Sequence, residues 1–159
     1  TLLDKRKLFQ ESKVEVDEEI SLLRLGLAYE KKGEFSKAIE AMKEGQKKAR
    51  ANGNGHCVET FLKHLGFCLG EAQDLTNAED YFEASLGLAR SLGKRKDELE
   101  ILLKFGTIHT KSQDIERAMT LLKEGLRLAE KHHDNRYKGL FLKQLGDAYT
   151  LMQDNQKAV

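Results

Sequence analysis

Two histidines and two cysteines lie close together in the segment HCVETFLKHLGFC, residues 56–68. Cys57, His64 and Cys68 are spaced i, i+7 and i+11, so one face of a helix would present all three side chains. Thiolate and imidazole groups are the ligands that zinc prefers. Buried thiols, however, commonly serve as small apolar side chains. Steps of 40 residues place Cys68 in register with small or apolar residues: Ala28, Ile108 and Ala148. We therefore interpret the three residues as packing residues, keep zinc as the alternative, and predict no metal site.

Motifs for catalysis are missing from the rest of the sequence. There is no phosphate-binding loop, dinucleotide fingerprint, HExxH helix or nucleophile elbow. The carboxylates fall at predicted helix starts or on charged helix faces, where they have structural uses. The sequence predicts no catalytic residues, no enzyme activity and no cofactor.

Composition favours a helical protein that binds neither nucleic acid nor membrane. The 159 residues are 40% hydrophobic and 33% charged and contain no proline, which suits helices with short connections. A formal net charge of +1 gives no electrostatic argument for nucleic acid or an anionic membrane. No apolar run approaches the roughly 20 residues that span a bilayer. With two cysteines a disulfide framework is not expected, and we predict a cytoplasmic, intracellular protein.

The strongest pattern is a repeat of 40 residues. Glycine recurs at Gly26, Gly66, Gly106 and Gly146, and an alanine follows each glycine after twelve residues. Self-similarity at a fixed period indicates a solenoid built from one supersecondary unit. Because glycine has no side chain, we predict that each one marks the close crossing of two helices.

Each repeat is predicted to contain a first helix (helix A), a turn followed by an acidic residue, and a second helix (helix B). We expect the end of a preceding helix B at 1–12, then repeats at 16–51, 56–92, 96–132 and 136–159, the last incomplete. A chain divided in this way would belong to a longer array with neighbouring repeats.

These residues resemble the tetratricopeptide repeat family, whose pattern has Leu-Gly, a large residue three positions later and an alanine in the second helix. Leu25-Gly26, Tyr29 and Ala38 show the pattern in the first copy. The resemblance implies an all-α, right-handed superhelical solenoid of antiparallel helix pairs. The usual period is about 34 residues; the longer period here is similar to that of kinesin light chains and Pins-type scaffolds.

In the family, helix A lines a concave surface that binds partners, and the resemblance transfers this role to positions around each repeat glycine. The candidate binding residues are Arg24, Leu27, Lys63, His64, Phe67, Leu103, Lys104, Lys143 and Gln144. For Leu27, packing on a preceding helix is the alternative, and for the basic residues the alternative is a solvated helix face with no ligand. Basic side chains alternating with leucine and phenylalanine predict an acidic, partly apolar peptide or helix as the ligand.

The resulting prediction is a scaffold or adaptor segment that binds a protein or peptide partner in a concave groove. Two other functions fit the same fold. One is a peptide-sensing regulatory domain that controls an attached effector domain, and the other is an architectural subunit of a large assembly.

Overall fold

The computed structural model describes residues 1–159, apart from the side chain of Val16. The backbone forms seven α-helices, and the described residues include no strand. The helices are α1 (Leu2–Lys32), α2 (Phe35–Ala51), α3 (Gly55–Glu71), α4 (Leu75–Ser91), α5 (Arg95–Lys111), α6 (Ile115–Lys131) and α7 (Asn135–Lys157). The predicted all-α class, with alternating helices A and B that pack consecutively, is confirmed.

The chain divides into two compact units, Thr1–Leu88 and Ala89–Val159. In the first unit α1 packs on α2 and α2 packs on α3. Gly26 faces Met42, and a Cβ at Gly26 would lie 2.5 Å from Cε of Met42. Both residues are eight positions from Glu34 in the intervening turn, so α1 and α2 are antiparallel. Gly66 and Phe82 make the same crossing between α3 and α4, where a Cβ would lie 2.8 Å from the ring.

The second unit repeats this packing, with α5 on α6 and α6 on α7. A Cβ at Gly106 would lie 2.6 Å from Cδ2 of Leu122. The prediction that repeat glycines mark close helix crossings is therefore confirmed for Gly26, Gly66 and Gly106. At Gly146 no atom of another element lies within 4 Å of the Cβ position, and the crossing expected there stays a prediction.

Short connections between helices each contain one residue with positive φ. Glycine fills three of these positions, where its freedom from a Cβ removes the strain. Gln73, Gln113 and His133 fill the other three, with φ values of 64°, 63° and 54°. The predicted acidic helix caps are present only in part: the Asp114 carboxylate accepts a hydrogen bond from the Arg117 N–H, whereas Glu34 makes no side-chain cap hydrogen bond.

Both ends of the chain differ from the sequence prediction. Residues 1–12 were expected to belong to a preceding helix B, yet α1 runs without a break from Leu2 to Lys32. The connecting residues Ser12, Lys13, Val14 and Glu15 include no glycine or proline that would end a helix. At the other end α7 continues through Gln153, where a turn was expected.

A buried carboxylate fixes α1 to the turn between α2 and α3. Glu19 is only 1% exposed. Its Oε1 accepts a hydrogen bond from the Asn52 side-chain amide at 2.7 Å, and its Oε2 accepts one from Asn54 at 2.9 Å. These two charge-assisted bonds compensate for the removal of the carboxylate from water.

Candidate binding surfaces on the first helices

In the first unit two of the predicted binding residues lie on the surface of α1. Arg24 is exposed, and Leu27 is 37% exposed. Ile20, two turns before Leu27 on the same side of the helix, is 39% exposed. Packing of Leu27 on a preceding helix stays the alternative. These three residues form the surface that we call the Arg24–Leu27 face.

His64 lies beside a carboxylate from α1. Its Nδ1 is 2.9 Å from Oε2 of Glu30, and both side chains are partly buried. An ionised carboxylate only accepts hydrogen bonds, so Nδ1 of His64 donates to it. This contact joins α1 to α3.

The structure corrects the assignment of Phe67 and Lys63 as surface residues. Phe67 is 4% exposed, and its ring centroid is 5.5 Å from those of both His64 and Phe82. It is a core residue because the side of α3 that carries it also faces α4. Lys63 is 7% exposed, so its ammonium group is not displayed on an open surface.

In the second unit Lys104 and Lys143 are exposed, whereas Leu103 and Gln144 are half-buried. The Thr107 hydroxyl oxygen lies 3.2 Å from Oε1 of Gln144, which places α5 against α7 at this point. Lys104 is one turn before Thr107, and Lys143 adjoins Gln144. The contact between α5 and α7 therefore lies between two exposed lysines.

The cysteines and histidine considered for zinc have other environments. Burial raises the pKa of the Cys68 thiol to about 12, so the thiolate that binds metals is disfavoured there. Sγ of Cys57 is 3.0 Å from the Asn54 amide nitrogen, and His64 contacts Glu30. Within the described residues no group of three or more His, Cys, Asp or Glu side chains has an arrangement that would hold a metal ion.

Sequence reasoning missed three buried polar residues beside these surfaces. Glu19 and Glu59, 40 residues apart, are 1% and 0% exposed, and their shared register was a signal that could have revealed them. The third is His109, 6% exposed, which takes the position of Tyr29. Its Nδ1 lies 3.3 Å from a carboxylate oxygen of Asp114, and its ring centroid is 4.7 Å from that of Phe105.

Among the helices of the described residues, none combines the length and the apolar character that crossing a membrane requires.

Comparison with protein families gives two matches, and both are to models of the tetratricopeptide repeat. One covers residues 21–49 and the other residues 57–131. The chain is a tetratricopeptide repeat protein, as its glycine register and helix pairs indicated. Repeats of this family generally mediate protein–protein interactions and are typically non-catalytic. A search of curated proteins gave no match.

Proposed function

We propose that this chain is a protein-interaction module that binds an acidic, partly apolar peptide or helix on helix A, the first helix of each repeat. It would act as a scaffold or adaptor inside the cell, since the described residues form no disulfide, as is usual in a reducing compartment. The observation that carries the proposal is the exposure of basic and apolar side chains together on helices A, at Arg24, Leu27, Lys104 and Lys143.

The geometry narrows the residues that would bind the ligand. Leu27 and Ile20 offer apolar contact area, which supplies affinity, and Arg24 beside them would orient a carboxylate. Lys63 and Phe67 are buried and would contribute indirectly, through the position of α3. Because Glu30 already occupies Nδ1 of His64, His64 is a weaker charge partner than Arg24.

The proposal is tested by affinity capture with the whole chain as bait and quantitative mass spectrometry. Two double variants remove the proposed contacts: Arg24→Glu with Leu27→Ser in the first unit, and Lys104→Glu with Lys143→Glu in the second. Each variant should keep its helical circular dichroism, since Arg24, Lys104 and Lys143 are exposed and Leu27 is partly exposed. Each variant should also lose captured partners. Lys43→Glu with Lys47→Glu on α2 is the matched control, because both lysines are exposed on a helix B.

Capture that is unchanged in both double variants, with the control also unchanged, would show that helices A do not carry recognition. Loss in the control alone would move the binding surface to α2.

A further inference from the structure

A long groove follows the side of the first helix pair that lies away from the Arg24–Leu27 face. Two clefts of about 430 and 380 Å³ lie between α1 and α2 and share Leu22 and Glu44 in their walls. Most of the apolar lining comes from α1, at Val14, Leu22, Leu25 and Tyr29, and α2 adds Ala41. We call this surface the α1–α2 groove. From Val14 to Tyr29 it extends about 22 Å at 1.5 Å per residue, enough for four turns of a helix.

The groove is open where the next repeat is closed. Val14 is 58% exposed and Leu25 is 46% exposed. Leu65, the residue of α3 in register with Leu25, is 0% exposed. In that repeat the preceding helix α2 packs on α3, with Gly45 against the ring of Phe61. The side of α1 that corresponds to the covered side of α3 therefore presents apolar surface of a kind that can pack against a helix.

The residues of α1 do not copy that internal contact. The position of Phe61, and of Phe141 in α7, is taken in α1 by Ser21, which is exposed. The large side chain that fits a glycine of the preceding helix is thus missing. Moreover, α1 is unbroken through residues 12–16, so no turn folds residues 1–12 back onto their own groove. The groove consequently suits a different occupant from a helix of the repeat type.

Charge identifies the chemistry of that occupant. Four carboxylates line the groove: Asp17, Glu18, Glu40 and Glu44. The only ammonium groups in the two linings are those of Lys37 and Lys48. Nζ of Lys48 is already 2.9 Å from Glu18, and Nζ of Lys37 is 2.5 Å from Glu34, just outside the lining. The excess charge of the groove is therefore negative.

We propose that the α1–α2 groove binds a basic amphipathic helix of a partner protein. Leu22, Leu25 and Tyr29 stand one turn apart and would receive apolar side chains at i, i+3 or i+4 and i+7 of that helix. Lysine or arginine side chains on its flanks would meet Asp17, Glu40 and Glu44. Burial of the leucines supplies the affinity, and the charges select basic over acidic helices.

This site differs from the surface in the proposed function. Leu25 and Leu27 are two residues apart on α1, so their side chains point about 160° away from each other. The Arg24–Leu27 face is basic and favours an acidic ligand, whereas the groove favours a basic one. Failure of one proposal leaves the other standing.

The test uses the whole chain and a fluorescent helical peptide of leucine, alanine and lysine, with leucines at i, i+3, i+4 and i+7. A second peptide carries glutamate at every lysine. Fluorescence anisotropy should show binding of the lysine peptide, weaker at higher salt as the charges are screened, and no binding of the glutamate peptide. Glu40→Lys with Glu44→Lys should weaken binding at least about tenfold, since like charges then face each other. Leu25→Ser should weaken it as well.

Asp80→Lys is the matched control, because Asp80 is exposed on α4 at the position one repeat after Glu40. It should bind the lysine peptide as the wild type does, and so should Arg24→Glu with Leu27→Ser. Equal binding of both peptides, or equal loss in the Asp80→Lys control, would overturn the proposal. Sedimentation provides a further check: a dimer that disappears in the Glu40, Glu44 variant would make a second copy the occupant, through its basic residues 5–7, and would overturn the assignment to a partner protein.

Discussion

The two sides of α1 carry similar apolar side chains and opposite charge. Ile20 and Leu27 lie beside Arg24 on one side, whereas Leu22 and Leu25 lie on the other beside carboxylates. Hydrophobic burial alone would not distinguish the two surfaces, because it is non-directional. Charge is what would direct an acidic ligand to one side and a basic ligand to the other.

The sides also depend differently on the rest of the molecule. The Arg24–Leu27 face is built by one helix, so it requires only that α1 be helical. The groove requires α2 beside α1, since Glu40 and Glu44 come from α2. Substitutions that move α1 or α2 should therefore separate the two surfaces experimentally.

The largest effect is expected at the anchor that holds α1 beside α2. Glu19→Ala removes two charge-assisted hydrogen bonds and leaves the amides of Asn52 and Asn54 without this acceptor. We expect the free energy of unfolding to fall by about 3 kcal/mol and binding in the α1–α2 groove to weaken, whereas the Arg24–Leu27 face, which requires only that α1 be helical, should keep its ligand. Urea denaturation measures the loss. Glu18→Ala, next to it but about half exposed, is the control and should cost much less. Equal costs would show that the buried network does not anchor α1.

A smaller effect, confined to one side, is expected from Gly26→Val. The new side chain would press on Met42 and separate α1 from α2, which should cost about 1–3 kcal/mol and distort the groove. The Arg24–Leu27 face should keep its ligand. Gly45→Val should cost more, because the Phe61 ring has less freedom to move than the thioether of Met42.

Gly87 provides the control for these glycines. No atom lies within 4 Å of its Cβ position, and it is exposed in the interior of α4. Gly87→Ala should raise stability by up to about 1 kcal/mol through helix propensity. Destabilisation by Gly87→Ala in chemical denaturation would contradict the distinction between open and close-packed glycines.

The smallest effect concerns the lysine that partly neutralises the groove. The hydrogen bond from Lys48 to Glu18 raises the pKa of Lys48 above its usual 10.5. Its contribution to stability is therefore fully present below pH 10.5 and is lost as the pH rises through the higher pKa of the folded protein. Thermal melts of wild type and Lys48→Ala should differ slightly at neutral pH and converge at strongly alkaline pH. The variant, with a more negative groove, should bind the lysine peptide more tightly at neutral pH. Weaker binding would mean that the charge of the groove does not control the peptide.

Much of this architecture is readable from the sequence because repeated packing leaves a repeated signature. The glycine column indicated the helix crossings at Gly26, Gly66 and Gly106, since a close approach excludes a side chain. At Gly146 the predicted crossing stays a prediction, because a glycine indicates only that a close approach is possible.

The surfaces were harder to predict. Register correctly placed Arg24 and Leu27 on helix A, but it could not give the depth of Phe67 or Lys63, which depends on how closely neighbouring helices approach. The α1–α2 groove was not predicted either. Its leucines come from one helix and most of its charges from another, so no single segment of the sequence shows the groove. The groove also depends on the unbroken course of α1 through residues 12–16, which follows from the absence of a helix breaker in that segment.

Site-specific photocrosslinking tests most directly the central claim that helices A carry recognition. A photoreactive phenylalanine is placed at Leu27 in one version of the chain, at Leu25 in a second and at Lys47 on α2 in a third. We expect crosslinks to partner proteins at Leu27, and Arg24→Glu should reduce them. At Leu25 we expect crosslinks to a different set of proteins, which Glu40→Lys should reduce. Neither set should crosslink at Lys47. The same partners crosslinking at all three positions, or none at Leu27 and Leu25 while Lys47 gives a strong set, would contradict the central claim.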